Sequence, residues 1–516
     1  MNSTSKASSS ARSNSSISTP IEFRHTGIAQ GRDTHASGVL VCDSVVVTEA
    51  GPESTRNASR RFLLILGLIM LVAFGARVAN LAVTQWDEAP TGDARFYSET
   101  AKLLVEGRGY IDPFRYLEGY PDLTERRELD HFGQPIIVEL PPGLEQPTMS
   151  HPPAWSMALA GARLLGVDTP NQQRLLGVFL GTLGVGLIGL AGRELFGPGV
   201  GLIAAGFASI YGFLILNDAS LMSESLVVMF VPVATVVAVR WWRSPTLRLA
   251  TSLGVLAAVG GLLRAELIVY TPLVLIGALV VRRFPWRRTL GHGALAALVM
   301  ALLLAPWIVR NLTSFAEPMV LSQTGTTLAQ TNCDATYYGD KLGYWELYCG
   351  GIVPATSPDA IPDESQRDVL RRSQAFDYIA AHRVRFITVA VPVRVLRMFN
   401  LFGPVQTAKY DVVVEGRNLQ ASLVSLAEYY VVAALAVGGV VIALRRRLAL
   451  YVILLWPALV VMVAVLGFGN NRYRVTCEPT FFWLAGLAVY WAFGRIREAR
   501  RRSDSATTQN TAISVS

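Results

Sequence analysis

Residues Phe62-Leu63-Leu64-Ile65-Leu66-Gly67-Leu68-Ile69-Met70-Leu71-Val72-Ala73-Phe74-Gly75-Ala76-Arg77-Val78-Ala79-Asn80-Leu81-Ala82-Val83 carry a single charge, Arg77. As a helix this stretch is about 33 Å long, enough to cross a hydrocarbon core of about 30 Å. Similar stretches recur at about 174–192, 199–217, 221–240, 247–263, 266–281, 289–308, 421–443, 448–467 and 476–494. Over the whole chain apolar residues make up 51% and charged residues 16%, against roughly 25% charged in a soluble domain. Such a chain cannot cover a soluble surface with polar groups. A disordered protein, a disulfide scaffold and an ordinary cytosolic enzyme are excluded as readings of the whole chain. The fold class expected is an all-α polytopic membrane protein with about ten transmembrane helices.

The arginines orient these spans. They stand before the first span (Arg56, Arg60, Arg61), in two clusters between spans (Arg240, Arg243, Arg248; Arg282, Arg283, Arg287, Arg288), at Arg445, Arg446 and Arg447, and after the last span from Arg495 to Arg502. Placing all of them on the cytoplasmic side requires an even number of spans and puts both termini inside. The net charge of +8 therefore reads as membrane orientation, with no nucleic-acid partner. Residues 1–60 are rich in Ser and Thr with no apolar period, and are expected to be a disordered cytoplasmic tail without a cleavable signal peptide. Residues 496–516 are expected to form a basic, disordered tail, which leaves 61–495 as the membrane domain.

Two apolar stretches fail as spans. Pro152–Leu165 is about 21 Å of helix and is assigned to the outer membrane surface. Phe376–Phe402 carries His382, Arg383, Arg385, Arg394 and Arg397, and an arginine at mid-bilayer costs about 2.5–3.5 kcal/mol or more. It is assigned as an amphipathic helix in the outer interface. Two outer loops result, about 84–173 and 311–418. Cys333 and Cys349 both fall in the second, where an oxidising compartment favours a disulfide. Cys42 falls in the inner tail, and Cys477 is expected to pack as a small hydrophobe.

Candidate chemistry gathers on the same outer side. Asp93 stands just before a helical pattern in which Tyr97, Ala101 and Leu104 share a face. It is a favoured N-cap and equally a candidate base, and the two roles are compatible. His151 opens the short surface helix, Glu224 lies at the outer end of a span, and Arg264 and Glu266 lie at an outer hairpin. Arg310 follows another span, and Arg472, Tyr473 and Arg474 precede the last. Arg77, in the outer half of the first span, reads either as a residue lining the site or as one that snorkels to the interface. Arginines match an anionic lipid head group, and a hydroxyl acceptor needs a carboxylate within reach. An enzyme using a lipid-phosphate sugar donor needs both. A carrier or a lipid-linked glycan flippase, which breaks no bond, is the alternative, and a non-catalytic assembly subunit a third.

The order of these motifs resembles the GT-C glycosyltransferases. It runs from a basic tail and first span to Gly92-Asp93-Ala94-Arg95-Phe96-Tyr97 and His151-Pro152-Pro153. A Gly-rich span ending Ala191-Gly192-Arg193-Glu194-Leu195-Phe196-Gly197 follows, then Ser223-Glu224 and Arg472-Tyr473-Arg474-Val475 with Glu478-Pro479. The bacterial branch similar to dolichyl-phosphate-mannose–protein mannosyltransferases and lipid A aminoarabinose transferases fits best, over about residues 60–495. The resemblance implies inverting transfer of a sugar from a polyprenyl-phosphate donor outside the cytoplasmic membrane. The acceptor would be an envelope glycan, a lipid or a protein. It implies Asp93 as the catalytic base, with Asp87 or Glu88 as alternatives. It implies Arg264, Arg310, Arg472 or Arg474 near the donor phosphate. His151, Glu224 and Tyr473 are weaker substrate-binding candidates. The first outer loop has no Asp-x-Asp, so no obligatory cofactor or metal is expected, although some relatives use a divalent ion. No large soluble domain is expected after the last span, which would be a departure from the oligosaccharyltransferases. The sugar and the acceptor are left open.

Overall fold

Helices occur at each of the ten apolar stretches, and small residues set how closely several of them pack. The helix Pro170–Phe196 carries glycine at 177, 181, 184, 186, 189 and 192. A Cβ added at Gly192 would lie 2.9 Å from the Gly201 Cα, and one at Gly181 would lie 2.0 Å from an Asp218 carboxylate oxygen. Backbones approach this closely only where the side chain is absent, as is common between helices in membranes. The structure is a computed structural model, and it describes residues 52–86, 88–118, 126–129, 135–137, 142–350 and 363–513. All fall within the unit Glu49–Ser516. Cys42 and Asp87 lie outside the described residues.

By length and composition, five described helices can cross a membrane: Asn57–Thr84, Pro170–Phe196, Glu224–Arg243, Trp286–Ser314 and Leu419–Arg445. The pair Pro198–Ile210 and Gly212–Ala219, bent by 57°, makes a sixth if taken as one span. Leu247–Leu263, Ala265–Val280 and Tyr451–Leu466 are apolar but shorter. The chain is a multi-pass membrane protein. Its core is knitted by aromatic residues: Trp456 stacks on Tyr270 at 3.8 Å and donates to Thr235 Oγ1 at 2.8 Å. Trp483 donates to the Ile188 carbonyl at 3.0 Å.

Four local expectations change. The first helix starts at Pro52, ten residues before the first apolar residue, and the last runs on to Ile513. In both places strong helix formers such as Ala, Arg and Glu extend the helix beyond the apolar run. Arg77 does not snorkel. It is fully buried, pairs with Asp218 at 2.7 Å and donates to the Ala73 and Ser209 carbonyls. The stretch Phe376–Phe402 is no single surface helix. Glu364–Ala381 ends at His382, and Val391–Met398 follows a π turn at Phe386–Ala390. Arg394 and Arg397 have no exposure. Arg394 donates to Asn332 Oδ1 at 3.0 Å, and Arg397 to the Leu342 carbonyl and Thr407 Oγ1. Protein carbonyls and side chains, rather than lipid head groups, hold these two guanidiniums, and the Nε and Nη1 of Arg394 are buried without a hydrogen-bond partner.

Between the first two long helices lie Gly92–Val105 and Ala154–Arg163 and a two-stranded antiparallel hairpin, Arg126–Leu129 with Pro135–Ile137. The segment between Trp286–Ser314 and Leu419–Arg445 holds a disulfide between Cys333 and Cys349, with Cα atoms 5.8 Å apart. Cys477 is free and buried.

Candidate active site

Asp93 is the second residue of helix Gly92–Val105, and Thr91 is the N-cap. The carboxylate therefore does not cap the helix, as the sequence suggested it would. Gly92, at φ 51°, starts the helix one residue earlier and puts Asp93 in its first turn. There the helix dipole favours a negative group. Asp93 Oδ1 lies 3.2 Å from His151 Nε2, and Oδ2 accepts from Arg472 Nη1 at 2.8 Å. The Asp93 side chain is 37% exposed, so an incoming group can reach it. Burial pushes its pKa up. The His151 ring and the Arg472 guanidinium outweigh that and hold it well below the usual carboxylate range.

His151 is fixed from several sides. Its ring sits 4.5 Å from Phe96 and 5.0 Å from Tyr97, both on the Asp93 helix. Its carbonyl accepts from Tyr110 Oη at 3.1 Å, and its Nδ1 lies 3.1 Å from Ser150 Oγ. The helix behind it is anchored by Trp155, whose indole donates to the Leu221 carbonyl at 2.8 Å. Tyr97 is fully enclosed. Burial, then the Asp93 charge, push its hydroxyl pKa up, so it stays neutral.

Arg472 joins two carboxylates. Beyond Asp93 it donates through Nε to Glu224 Oε1, and the same oxygen accepts from Arg264 Nη2 at 3.4 Å. Arg264 also lies 3.6 Å from Glu266 and 4.1 Å over the Tyr473 ring. Glu224 is 1% exposed and its Oε2 has no hydrogen-bond partner. The sequence candidates Asp93, His151, Glu224, Arg264, Arg472 and Tyr473 thus converge. Burying so many charges is tolerable only because each is paired.

Two candidates are placed elsewhere. Residues 471–476 form a 3-10 helix, with three residues per turn, so Arg474 points away from Arg472. It pairs with Glu478 at 3.2 Å and lies 3.7 Å over Tyr429. Arg310 donates to the Thr148 carbonyl at 2.9 Å and to the Tyr110 carbonyl, and stacks on Trp307 at 5.2 Å. It braces the segments that carry His151 and makes no contact with Asp93. Glu88 is exposed.

A second charged group, not anticipated from the sequence, borders the first. Arg417 pairs with Glu415 at 2.7 Å, lies 3.8 Å from Asp411 and donates to Asn217 at 2.8 Å. Asn470 reaches Glu415 at 3.5 Å, just ahead of Arg472. Burial and the neighbouring Glu415 charge push Asp411 up to about 7. The signal for this group was a carboxylate pair four residues apart, closed by Gly416-Arg417 just before the helix Leu419–Arg445. Among the described residues, no three of His, Cys, Asp and Glu gather as a metal-ligand set.

Residues 150–309 match the family model described as dolichyl-phosphate-mannose-protein mannosyltransferase. That segment contains His151, Glu224 and Arg264. No curated protein matches the chain. Among solved structures, the archaeal oligosaccharyltransferase AglB from Archaeoglobus fulgidus, in complex with an inhibitory peptide and a dolichol-phosphate, is similar. Its TM-score is 0.51 at 13% identity, covering 87% of this chain and 52% of that one. The Archaeoglobus fulgidus oligosaccharyltransferase with Zn and sulfate gives 0.49 at 12% identity, over 84% of this chain and 49% of that one. This chain spans about half the length of that protein. The fold is GT-C-like, as the motif order implied.

Proposed function

We propose that this protein transfers a sugar from a polyprenyl-phosphate donor to an acceptor hydroxyl on the extracytoplasmic face of the cell membrane, with both termini cytoplasmic. The observation that carries the proposal is Asp93, a half-exposed carboxylate held between His151 at 3.2 Å and Arg472 at 2.8 Å. Asp93 accepts the acceptor's proton as its oxygen attacks the anomeric carbon from the face opposite the phosphate, which inverts the configuration. The bond from the anomeric carbon to the phosphate oxygen breaks, and polyprenyl phosphate leaves with the electron pair. Arg472 and Arg264 stabilise its charge, and no general acid is needed. The resemblance to a dolichyl-phosphate-mannose-protein mannosyltransferase family over residues 150–309 supports the donor class.

With Arg472 on it, Asp93 is a weak base. A donor phosphate competing for Arg472 would release Asp93 and raise its basicity when the acceptor needs it. Glu224 keeps Arg472 in place during that exchange. His151 orients Asp93, and Tyr473 lies beside Arg264 for sugar contact. The acceptor is an envelope glycan, lipid or protein. No obligatory metal is part of the proposal.

The test uses purified protein in detergent, a panel of labelled polyprenyl-phosphate sugars and an envelope extract as acceptor. Wild type releases polyprenyl phosphate from one donor, and folded Asp93→Asn loses at least about two orders of magnitude in rate. Equal release by both proteins would overturn Asp93 as the base. No release from any donor, with movement of an unmodified lipid-linked sugar across the bilayer instead, would establish a flippase.

A further inference from the structure

The membrane face opposite Asp93 carries a second built site. Helix Glu224–Arg243 has 20 residues, about 30 Å, so it starts at the Asp93 site and ends at the far face. There Arg240 and Arg243 share one carboxylate, Glu194, at 3.3 and 3.6 Å. The connection into helix Trp286–Ser314 and that helix's first turn add Arg282, Arg283, Arg287 and Arg288, all exposed. Among the described residues none of these four has a carboxylate within ion-pair distance.

Between these two segments lies a cavity of about 230 Å³ lined by Trp241, Pro245, Phe284, Arg288 and His292. Its walls are aromatic and largely satisfied. Trp241 donates to His292 Nδ1 at 3.0 Å, and Phe284 meets the Trp241 ring edge-on at 6.1 Å. Arg288 donates to the Pro245 carbonyl at 2.6 Å, which holds its guanidinium at the mouth. Arg282 stacks on Phe284 at 5.3 Å. Just beyond the rim Trp286 is 60% exposed and Val281 57%, as expected of groups at the head-group level.

An aromatic cleft with cations at its mouth, opening onto an apolar surface, fits a ligand with a phosphodiester at one end and acyl chains at the other. A soluble phosphate would gain nothing from the cleft, and a zwitterionic lipid would set its own cation against the arginines. We propose that this pocket binds one acidic glycerophospholipid, with the phosphodiester on Arg288 and Arg282 and the glycerol and upper acyl segments against Phe284 and the exposed Trp286. Basic pockets between transmembrane helices favour such head groups. The inference uses none of the residues assigned to sugar transfer.

Native mass spectrometry of the full chain in detergent, titrated with phosphatidylglycerol or phosphatidylcholine, tests it. Wild type retains one phosphatidylglycerol in preference to phosphatidylcholine. Arg288→Gln weakens that binding about fivefold, as one near-surface arginine should. The triple variant Arg282→Gln, Arg287→Gln, Arg288→Gln abolishes the preference. Arg495→Gln with Arg497→Gln, in the basic cluster of the last helix, leaves it intact. The proposal is overturned if the triple variant binds phosphatidylglycerol as wild type does. It is overturned equally if the Arg495 and Arg497 variant loses as much, because the attraction is then diffuse. Displacement of the lipid by inorganic phosphate alone would also overturn it, in favour of a soluble-anion site.

Discussion

Arg472 donates to Asp93 across 2.8 Å, although the two residues stand 379 positions apart. The ion pair therefore closes only when the segment after the first helix and the segment before the last helix have been brought together by the whole bundle. It also makes the charge state of Asp93 depend on a residue from the other end of the chain.

Arg472→Gln gives the first prediction. In wild type the Asp93 pKa lies well below the usual range, so the carboxylate stays ionised throughout the accessible pH range and adds no acid limb to the rate. A depressed pKa also means that its stability contribution is present above the unfolded value of about 3.9. That contribution is lost as pH falls through the folded value. Without Arg472 the pKa rises, with His151 alone holding it down, and the acid limb of kcat/KM moves up toward the accessible pH range. Activity falls by about two to three orders of magnitude, as for loss of a charge-stabilising donor. A pH–rate profile of the variant with its acid limb no higher than that of wild type would sink the coupling.

A second prediction concerns Arg77 and Asp218, at 0% and 2% exposure. Asp218 also accepts from Ser225 Oγ at 2.6 Å. Arg77→Met strands a buried carboxylate and should cost about 3–5 kcal/mol, read as a lower thermal midpoint in detergent. Arg77→Met with Asp218→Asn should recover part of the loss. A single variant as stable as wild type would show that the pair does not hold the fold.

The bundle was legible because apolar length and arginine placement are local properties of the sequence. So was the cluster of Asp93, His151, Glu224, Arg264 and Arg472, since each is an ionisable group at a predicted outer end. What failed was direction. Arg474 and Arg310 lie beside candidates that converge, but the 3-10 turn aims one at Glu478 and an aromatic cage holds the other. Arg77 reads as a snorkelling residue until Asp218 is known to face it from 141 positions away. Arg417 with Glu415 and Asp411 lay at a loop end where no periodicity marks a contact.

The disulfide supplies a third prediction. Cys333 and Cys349 close a loop of 16 positions, for which chain entropy gives about 3 kcal/mol. Cys333→Ser with Cys349→Ser should leave the bundle intact and raise hydrogen exchange across 333–349, including Tyr337 and Tyr344. Lys341 and Glu346, paired within that loop, should exchange faster too. Unchanged protection would mean that packing of Tyr337 and Tyr344, both almost fully buried, already orders the segment.

Glu364 provides the last prediction, outside the membrane. Its two carboxylate oxygens accept from the Met149 amide at 3.3 and 3.2 Å, two residues before His151. Burial pushes its pKa up to about 7, against the opposing pull of Thr148 and Arg367. A raised carboxylate pKa means that the folded protein holds a proton the unfolded chain has already lost. Stability attributable to Glu364 is therefore greatest below about pH 4.3 and declines as pH rises toward 7. Glu364→Gln, neutral at every pH, should remove that part of the decline and leave the variant more stable relative to wild type at pH 8 than at pH 5. Thermal midpoints of both proteins across that interval measure it. Parallel curves would show that Glu364 is ionised in the folded state, and that the segment under His151 is held by a charged group.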